Sequence, residues 1–512
     1  MSTGRTAKKG PPNQQRRRKS SSKGPRQQQG RARNSNSSNA NFRRPEPSQK
    51  RVPQRIAILG GGIAGLSCAQ QLLKSNGDYI EKVTVFDTGR LRPGGRCSSR
   101  LAGDPMKPGD DREYPLLSHY AMDHAAQLVA VPSDEGFADF RQQIQAWHQD
   151  GILRPFAPQT LFRIDGSDAS LTDLQPDIDS PKYYHASKGM ASIPGAIVQS
   201  FKETSSSIPL DIQQDVWISP SNGVRYQFSQ NVWKLQAKGQ SLGDYDSIVV
   251  AHNGKCADRL MSRTPAKDLH QLLRVNFAAT VAPQAKRMTL NSIYSLTVAL
   301  PKNSFLDTAL PSTFTCGFIE KHPDLSFLTC QTRKLQQKQP SQDTDVTVWT
   351  IFSSAKFAKR HKAPQEFLPD DTIDEVKALL LDSLQEVLSR DDGHALSRLV
   401  DSVLDCRLQL WGAALPLNIY HSKSASQGFI YDDDYSVGVC GDWLLDSSIA
   451  GAWTSGRRLA DHLTDVAQSR SAWQQRGTNT QNNREAQTMQ VGLTAGTFMR
   501  SDRAAQATIG SL

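Results

Sequence analysis

The first residues in this 512-residue chain with a spacing that can do chemistry form a glycine turn, Gly60-Gly61-Gly62-Ile63-Ala64-Gly65. Gly60, Gly62 and Gly65 occupy G-x-G-x-x-G positions. The first glycine allows a tight turn, the second lets the backbone approach a pyrophosphate, and the third lets a helix pack closely on a sheet. The unpaired N–H groups and positive end of that helix then hold phosphate. Asp87, followed by Thr88, lies 22 residues beyond Gly65. A carboxylate at that distance accepts hydrogen bonds from ribose hydroxyls, and it favours the unphosphorylated adenosine ribose of FAD or NAD over that of NADP. The chemistry implied is the holding of a dinucleotide.

Two further glycine-bearing segments stand far apart in the chain. Gly94-Gly95-Arg96 lies within Thr88–Arg100, where two glycines let backbone N–H groups approach a ligand and Arg96 brings charge towards a phosphate or ring. Gly441-Asp442 opens the stretch Gly441–Gly456, in which Gly451-Ala452-Trp453 begins a helix. No Ser-His-Asp arrangement and no metal-ligand spacing stands out. The seven cysteines (Cys68, Cys97, Cys256, Cys316, Cys330, Cys406 and Cys440) are scattered with no CxxC pair, which argues against a zinc site or a disulfide scaffold and for a reducing compartment.

The elements that must position these residues are legible from pattern. Arg55–Leu59 reads as a strand, about Ile63–Lys74 as a helix with Leu66, Ala69, Leu72 and Leu73 along one side, and Lys82–Phe86 as the next strand. Ile248–Ala251 and Val437–Cys440 read as short buried strands, Asp139–Asp150 as a helix in which Trp147 and His148 pack, and Pro369–Ser389 as a helix capped by Asp371 or Thr372. Strand composition recurs around Ser292–Leu300, Cys316–Ile319, Ser326–Thr332 and Thr347–Ser353, enough for a mixed or antiparallel sheet in a second domain.

Taken in order, the three glycine segments resemble the FAD fingerprints of the flavin-containing amine oxidase superfamily, and within it the renalase-like branch. Asp123–Gln127 (with Ala125 where the family has glycine), Tyr183–Ile193, Val249–Ala257 and Gln409–Pro416 (with Leu410 where it has arginine) extend the resemblance over about 55–463. The resemblance implies an α/β fold: a Rossmann-like, GR2-type FAD-binding domain with a mixed or antiparallel-sheet substrate domain. It implies non-covalent FAD held by Gly60–Gly65, Asp87, Thr88, Gly94–Arg96, the Val216 backbone at the adenine, Gly441, Asp442 and the amides of Gly451, Ala452 and Trp453. His252 and Trp411 then border the flavin or substrate, with Trp453 as a second aromatic wall. Cys440 raises the question of a covalent flavin, but its buried strand and the missing Ser-Gly-Gly-Cys-type signature argue against one.

The implied activity is hydride transfer from a reduced carbon next to nitrogen, in an amine or a dihydronicotinamide, to flavin N5. Dioxygen then reoxidises the flavin and hydrogen peroxide leaves. The implied catalytic residues are unknown. A desaturase or porphyrinogen-oxidase reaction on the same fold, or a flavin-binding protein without turnover, is the alternative. The expected domains are 52–262 with an excursion at about 128–180 to the substrate side, 263–429 for substrate, and 430–467 closing the FAD domain.

The formal charge of +11 looks like a property of the whole protein, but residues 1–51 carry 15 basic residues and one acid, a net +14, which leaves −3 for the other 461. That segment is expected to be a disordered basic tail, and 468–512 a polar second tail. The basic tail leaves nucleic-acid contact open. Without a membrane-length apolar run, a cytoplasmic protein is expected, with nuclear or plastid targeting as alternatives.

Overall fold

The computed structural model describes residues 54–75, 77–105, 112–177, 179–252, 254–337, 345–389, 398–422, 428–475, 491–493 and 496–500. The basic segment 1–51 lies outside the described residues. The first of two large sheets has six strands, in the order Leu210–Gln213, Ile80–Phe86, Gln54–Leu59, Ser247–Val250, Val437–Val439 and Ile430–Asp432. Neighbours run parallel through the first five, and the sixth closes antiparallel. The parallel strands are apolar on both faces, as helix-covered sheets require; Ile56, Ile58, Val83, Val85, Val249 and Val437 are fully buried.

Two helices cover one face, Ile63–Leu72 and Ile449–Gln475. Their approach is close enough that a Cβ on Gly456 would lie 2.1 Å from the Ala64 carbonyl oxygen. Ser67 Oγ donates to the Trp453 carbonyl at 2.9 Å across the same contact. This sheet with its helices is a Rossmann-like unit in an α/β fold, as the strand–turn–helix pattern implied.

The second sheet has seven strands, in the order Asp405–Trp411, Ile293–Pro301, Val346–Ser353, Leu325–Cys330, Cys316–Glu320, Leu161–Asp165 and Leu171–Asp173. It is mixed: only Cys316–Glu320 with Leu161–Asp165 pairs parallel. Asp370–Leu388 packs Ile373, Val376, Leu380 and Leu384 into a core with Leu296, Val298, Trp349 and Ile351 of this sheet. Its cap falls at Pro369 rather than at Asp371 or Thr372.

The 128–180 segment divides. Leu161–Asp165 and Leu171–Asp173 join the second sheet, Val129–Ala130 and Leu153–Pro155 pair with Tyr183–Ala186 in a small sheet of their own, and the helix Ala138–Gln149 sets Phe140 5.5 Å from the Trp453 ring on the first sheet's long helix. Trp147 is buried as expected, whereas His148 is exposed, with its Nδ1 3.1 Å from the Leu153 carbonyl oxygen. Part of the expected polar tail after 468 is also built into the fold. The long helix continues to Gln475, and Gly496–Arg500 pairs antiparallel with Asn418–Ser422.

One buried ion pair joins the second sheet to the loop after Arg96. Lys334 Nζ lies 2.8 Å from Asp123 Oδ2, with both side chains wholly out of solvent, and donates to Gln127 Oε1 at 2.9 Å. Asp123 Oδ1 accepts from Ser99 Oγ and from the Met190 amide. Truncating one partner strands a charge in the core, so Lys334→Ala is expected to lose about 3–5 kcal/mol of unfolding free energy. Equilibrium denaturation by urea measures this, and a change under about 1 kcal/mol contradicts the assignment.

Candidate functional site

The carboxyl ends of four parallel strands open on one cavity of about 770 Å³, the place where open α/β sheets bind ligands. Gly60 follows the first strand, Asp87 the second, His252 the Ser247–Val250 strand and Gly441 the Val437–Val439 strand, and all four line the cavity. The volume falls in the range of about 300–1,000 Å³ usual for small-molecule sites.

The three glycines of the turn do separate work. Gly60 has φ +120°, and a Cβ there would lie 3.1 Å from the Ala251 carbonyl oxygen. Gly65 has no room, because a Cβ would sit 1.9 Å from the Gly60 oxygen. A Cβ on Gly62 meets no protein atom within 4 Å. Gly62 caps the Ile63–Leu72 helix with no side-chain hydrogen bond and no acid in the first turn. The first-turn amides, including Ile63 and Ala64 in the cavity lining, therefore keep the unpaired N–H groups of a helix start.

Asp87 sits beside this turn and is almost wholly buried. Its Oδ1 accepts from the Gly61 amide at 3.4 Å, while Oδ2 is buried with no hydrogen-bond partner. Burial raises the Asp87 carboxyl above its ordinary range, against hydrogen bonds from the amides of Gly61, Gly89 and Thr88. A buried carboxylate oxygen with no donor is costly, so Oδ2 is placed to accept a hydrogen bond from a ligand hydroxyl. Thr88 lines the cavity beside it.

Gly94, Gly95 and Arg96 also line the cavity, and Gly94 pairs with Gly62 in an isolated parallel bridge. Arg96 is already engaged: Nη2 donates to Asp442 Oδ2 at 2.7 Å and Nη1 to the Ala414 carbonyl at 2.8 Å. The guanidinium thus closes the cavity wall rather than standing free for a phosphate. Val216 lines the cavity, but its amide donates to the Asp87 carbonyl at 2.9 Å, which leaves its carbonyl for a ligand.

The closing segment departs furthest from expectation. Gly441, Asp442, Ser448, Ile449 and Ala452 reach the cavity, but Gly451 and Trp453 are absent from its lining. The Gly451 amide donates to Ser448 Oγ at 3.1 Å, and a Cβ on Gly451 would meet the Asp446 carbonyl at 1.9 Å. Trp453 is fully buried against Phe140, with the Arg457 guanidinium 4.6 Å from its ring. It packs the core and is not an aromatic wall. Of the two tryptophans only Trp411 lines the cavity, stacked 5.7 Å from His124 with its Nε1 donating to the His124 carbonyl at 2.9 Å.

His252 lines the cavity above the first glycine, and burial pushes its pKa down to about 4, so the ring is neutral at pH 7. Cys440 does not line the cavity, and burial pushes its thiol up to about 12. Sequence reasoning missed Ser292, Phe277, Lys255, Cys256, Arg259 and the 362–366 turn, all of which line the cavity. Lys255 and Cys256 lay within the quoted Val249–Ala257 stretch, whereas 362–366 carries no motif at all. Among the described residues there is no group of three or more His, Cys, Asp or Glu able to hold a metal, and no helix is long and apolar enough to cross a membrane.

Residues 58–136 match the family model described as an NAD(P)-binding Rossmann-like domain. Among solved structures the chain is similar to cyclohexylamine oxidase from Brevibacterium oxydans IH-35A, at 11% identity and TM-score 0.49 over 81% of this chain and 99% of that one. It is similar to a putrescine oxidase bound to putrescine, at 12% and 0.47 over 80% and 98%. It is also similar to 2,6-dihydroxypyridine-3-hydroxylase from Arthrobacter nicotinovorans, at 12% and 0.43 over 83% and 88%.

Burial also pushes the pKa values of His124 and His185 down to about 4 from 6.5. Both rings are neutral when folded and take up a proton more readily once unfolded. Stability is therefore full above about pH 6.5 and falls as pH drops towards 4, by about 1–3 kcal/mol per ring. Denaturation midpoints measured from pH 7 to pH 4 are expected to decline steadily, and His185→Gln is expected to shallow the slope. An unchanged slope in that variant contradicts the assignment.

Proposed function

We propose that the chain is a renalase-like, amine-oxidase-type flavin oxidoreductase that binds FAD non-covalently in this cavity. The observation that carries the reading is the pairing of a buried, donor-less Asp87 Oδ2 with open space at the Gly62 Cβ, both facing the same cavity. The residues fit the group. Asp87 accepts from the adenosine ribose, the amides of Gly62, Ile63 and Ala64 meet the pyrophosphate, and the Val216 carbonyl borders the adenine. Gly94 and Gly95 give the backbone a close approach, and Asp442, steered by Arg96, faces the ribityl side. His252 and Trp411 flank the remaining space. In this reading 52–262 and 430–467 form the cofactor domain and 263–429 the substrate domain.

When bound, FAD supplies a two-electron acceptor that takes a hydride at N5 from a carbon next to nitrogen, and dioxygen recovers the electrons as hydrogen peroxide. The chain orients the substrate carbon and excludes water. Trp411, fixed by His124, gives a flat apolar face for the substrate. His252 carries no charge at pH 7, so it can donate or accept a hydrogen bond without repelling a cation.

The purified protein is expected to be yellow and to release free FAD on acid treatment. Gly62→Val is expected to fold normally, since a Cβ there meets no protein atom within 4 Å, yet to lose flavin because the side chain occupies pyrophosphate space. Flavin released per chain and the circular dichroism of the variant measure the two effects. A colourless protein that takes up no FAD sinks the reading, and normal flavin in the variant shows the pyrophosphate lies elsewhere.

A further inference from the structure

The charged side chains that line the cavity fall into two sets. Arg96 and Asp442 neutralise each other, and Asp87 serves the glycine turn. The remaining charged side chains come from two other elements: Lys255 and Arg259 on the helix Gly254–Met261, with Lys362 and Glu366 on the turn after Ala355–Arg360. Lys255, Arg259 and Lys362 are exposed to the cavity mouth and make no ion pair among the described residues. Asp258, beside Arg259, is taken by His270 at 2.8 Å. Glu366 is the one anion here, and it shares the neighbourhood of the Cys256 thiol with Arg259 and Lys255. Three cations against one acid give this mouth a positive potential on a folded part that is otherwise slightly acidic by count.

Such a mouth repels an ammonium group and draws in an anion, raising its local concentration. Resting on the flavoenzyme reading above, we infer that the substrate carries an anionic group, a carboxylate or a phosphate, held by Lys255, Arg259 and Lys362 while its reacting end passes Phe277 and Trp411. A simple cationic amine is therefore a poor substrate. The alternative use of the three cations, to hold the cofactor's own phosphates, makes a different demand. Their removal would then release flavin.

The test uses the flavin-loaded protein and three aromatic probes of like size, namely benzoate, phenyl phosphate and benzylamine. Binding is read from the change in flavin absorbance. At low salt, benzoate or phenyl phosphate is expected to bind about tenfold more tightly than benzylamine, and added sodium chloride is expected to erode the difference. Which of the two anions binds more tightly distinguishes a carboxylate from a phosphate substrate, and either preference supports the inference. The Lys255→Gln, Arg259→Gln, Lys362→Gln triple variant is expected to lose about tenfold in anion affinity, with benzylamine binding and flavin content unchanged. Benzylamine binding at least as tightly as both anions, or anion affinity unmoved in the variant, overturns the inference alone. A variant that loses its flavin also overturns it by returning the cations to the cofactor. A wild-type protein that holds no flavin overturns the reading of the site itself.

Discussion

The cavity exists because Arg96 is bonded to Asp442. The two residues lie 346 positions apart, and their 2.7 Å contact, with the second guanidinium nitrogen on Ala414, joins three distant stretches of chain around one space. Asp442 is nearly out of solvent and Arg96 is partly so, so each removes a charge that would otherwise be costly at the wall of a ligand site. The Gly94–Arg96 turn is held against Gly62 by this clamp. The turn, the first strand and the closing helix therefore keep one mutual geometry, and the open side of Gly62 faces a space of fixed shape.

A second charged contact sets how the clamp is backed. The Arg96 carbonyl accepts the Ala126 amide, and three residues earlier Asp123 receives Lys334 from the second sheet. Gln331 ties in further, with Nε2 donating to the Asp123 carbonyl, to Gln127 and to Thr350. These contacts tie Asp123, Gln127, Gln331 and Thr350 into one buried network that joins the second sheet to the segment around Asp123, and such networks favour one arrangement. The loop carrying the clamp is thus positioned by side chains that contact no ligand themselves.

The first half of this architecture was legible in the sequence because its signals are local. Gly60, Gly62 and Gly65 each need their residue type for a reason confined to one turn, and Asp87 follows at the length of a helix and a strand. Four of the seven strands of the second sheet were legible from β-branched and aromatic runs, but Leu161–Asp165, Leu171–Asp173 and Asp405–Trp411 were not, nor was the pairing, which depends on contacts far apart in the chain. Lys334 illustrates the limit. A lysine in a polar run, Gln331-Thr332-Arg333-Lys334, reads as solvated surface, and only its pairing with Asp123 explains its burial. Lys362 and Glu366 carry no motif for the same reason, because their place is set by the turn after the short helix Ala355–Arg360.

The closing glycines show how one pattern can encode two kinds of close approach. Gly451 reads as a cofactor residue because a backbone without a side chain admits a ligand. In the fold it admits protein instead, a turn carbonyl, just as Gly456 admits the neighbouring helix. Ser455 completes that use, with Oγ accepting the Gly441 amide and donating to the Gly428 carbonyl. The segment therefore serves the cavity at one remove. By letting the long helix sit tight on Ile63–Leu72, it brings Gly441, Asp442, Ser448 and Ala452 to the cavity edge and leaves Trp453 facing the core. A glycine in a helix start is evidence that something comes close, and only the opposing surface tells whether that something is the ligand or the next helix.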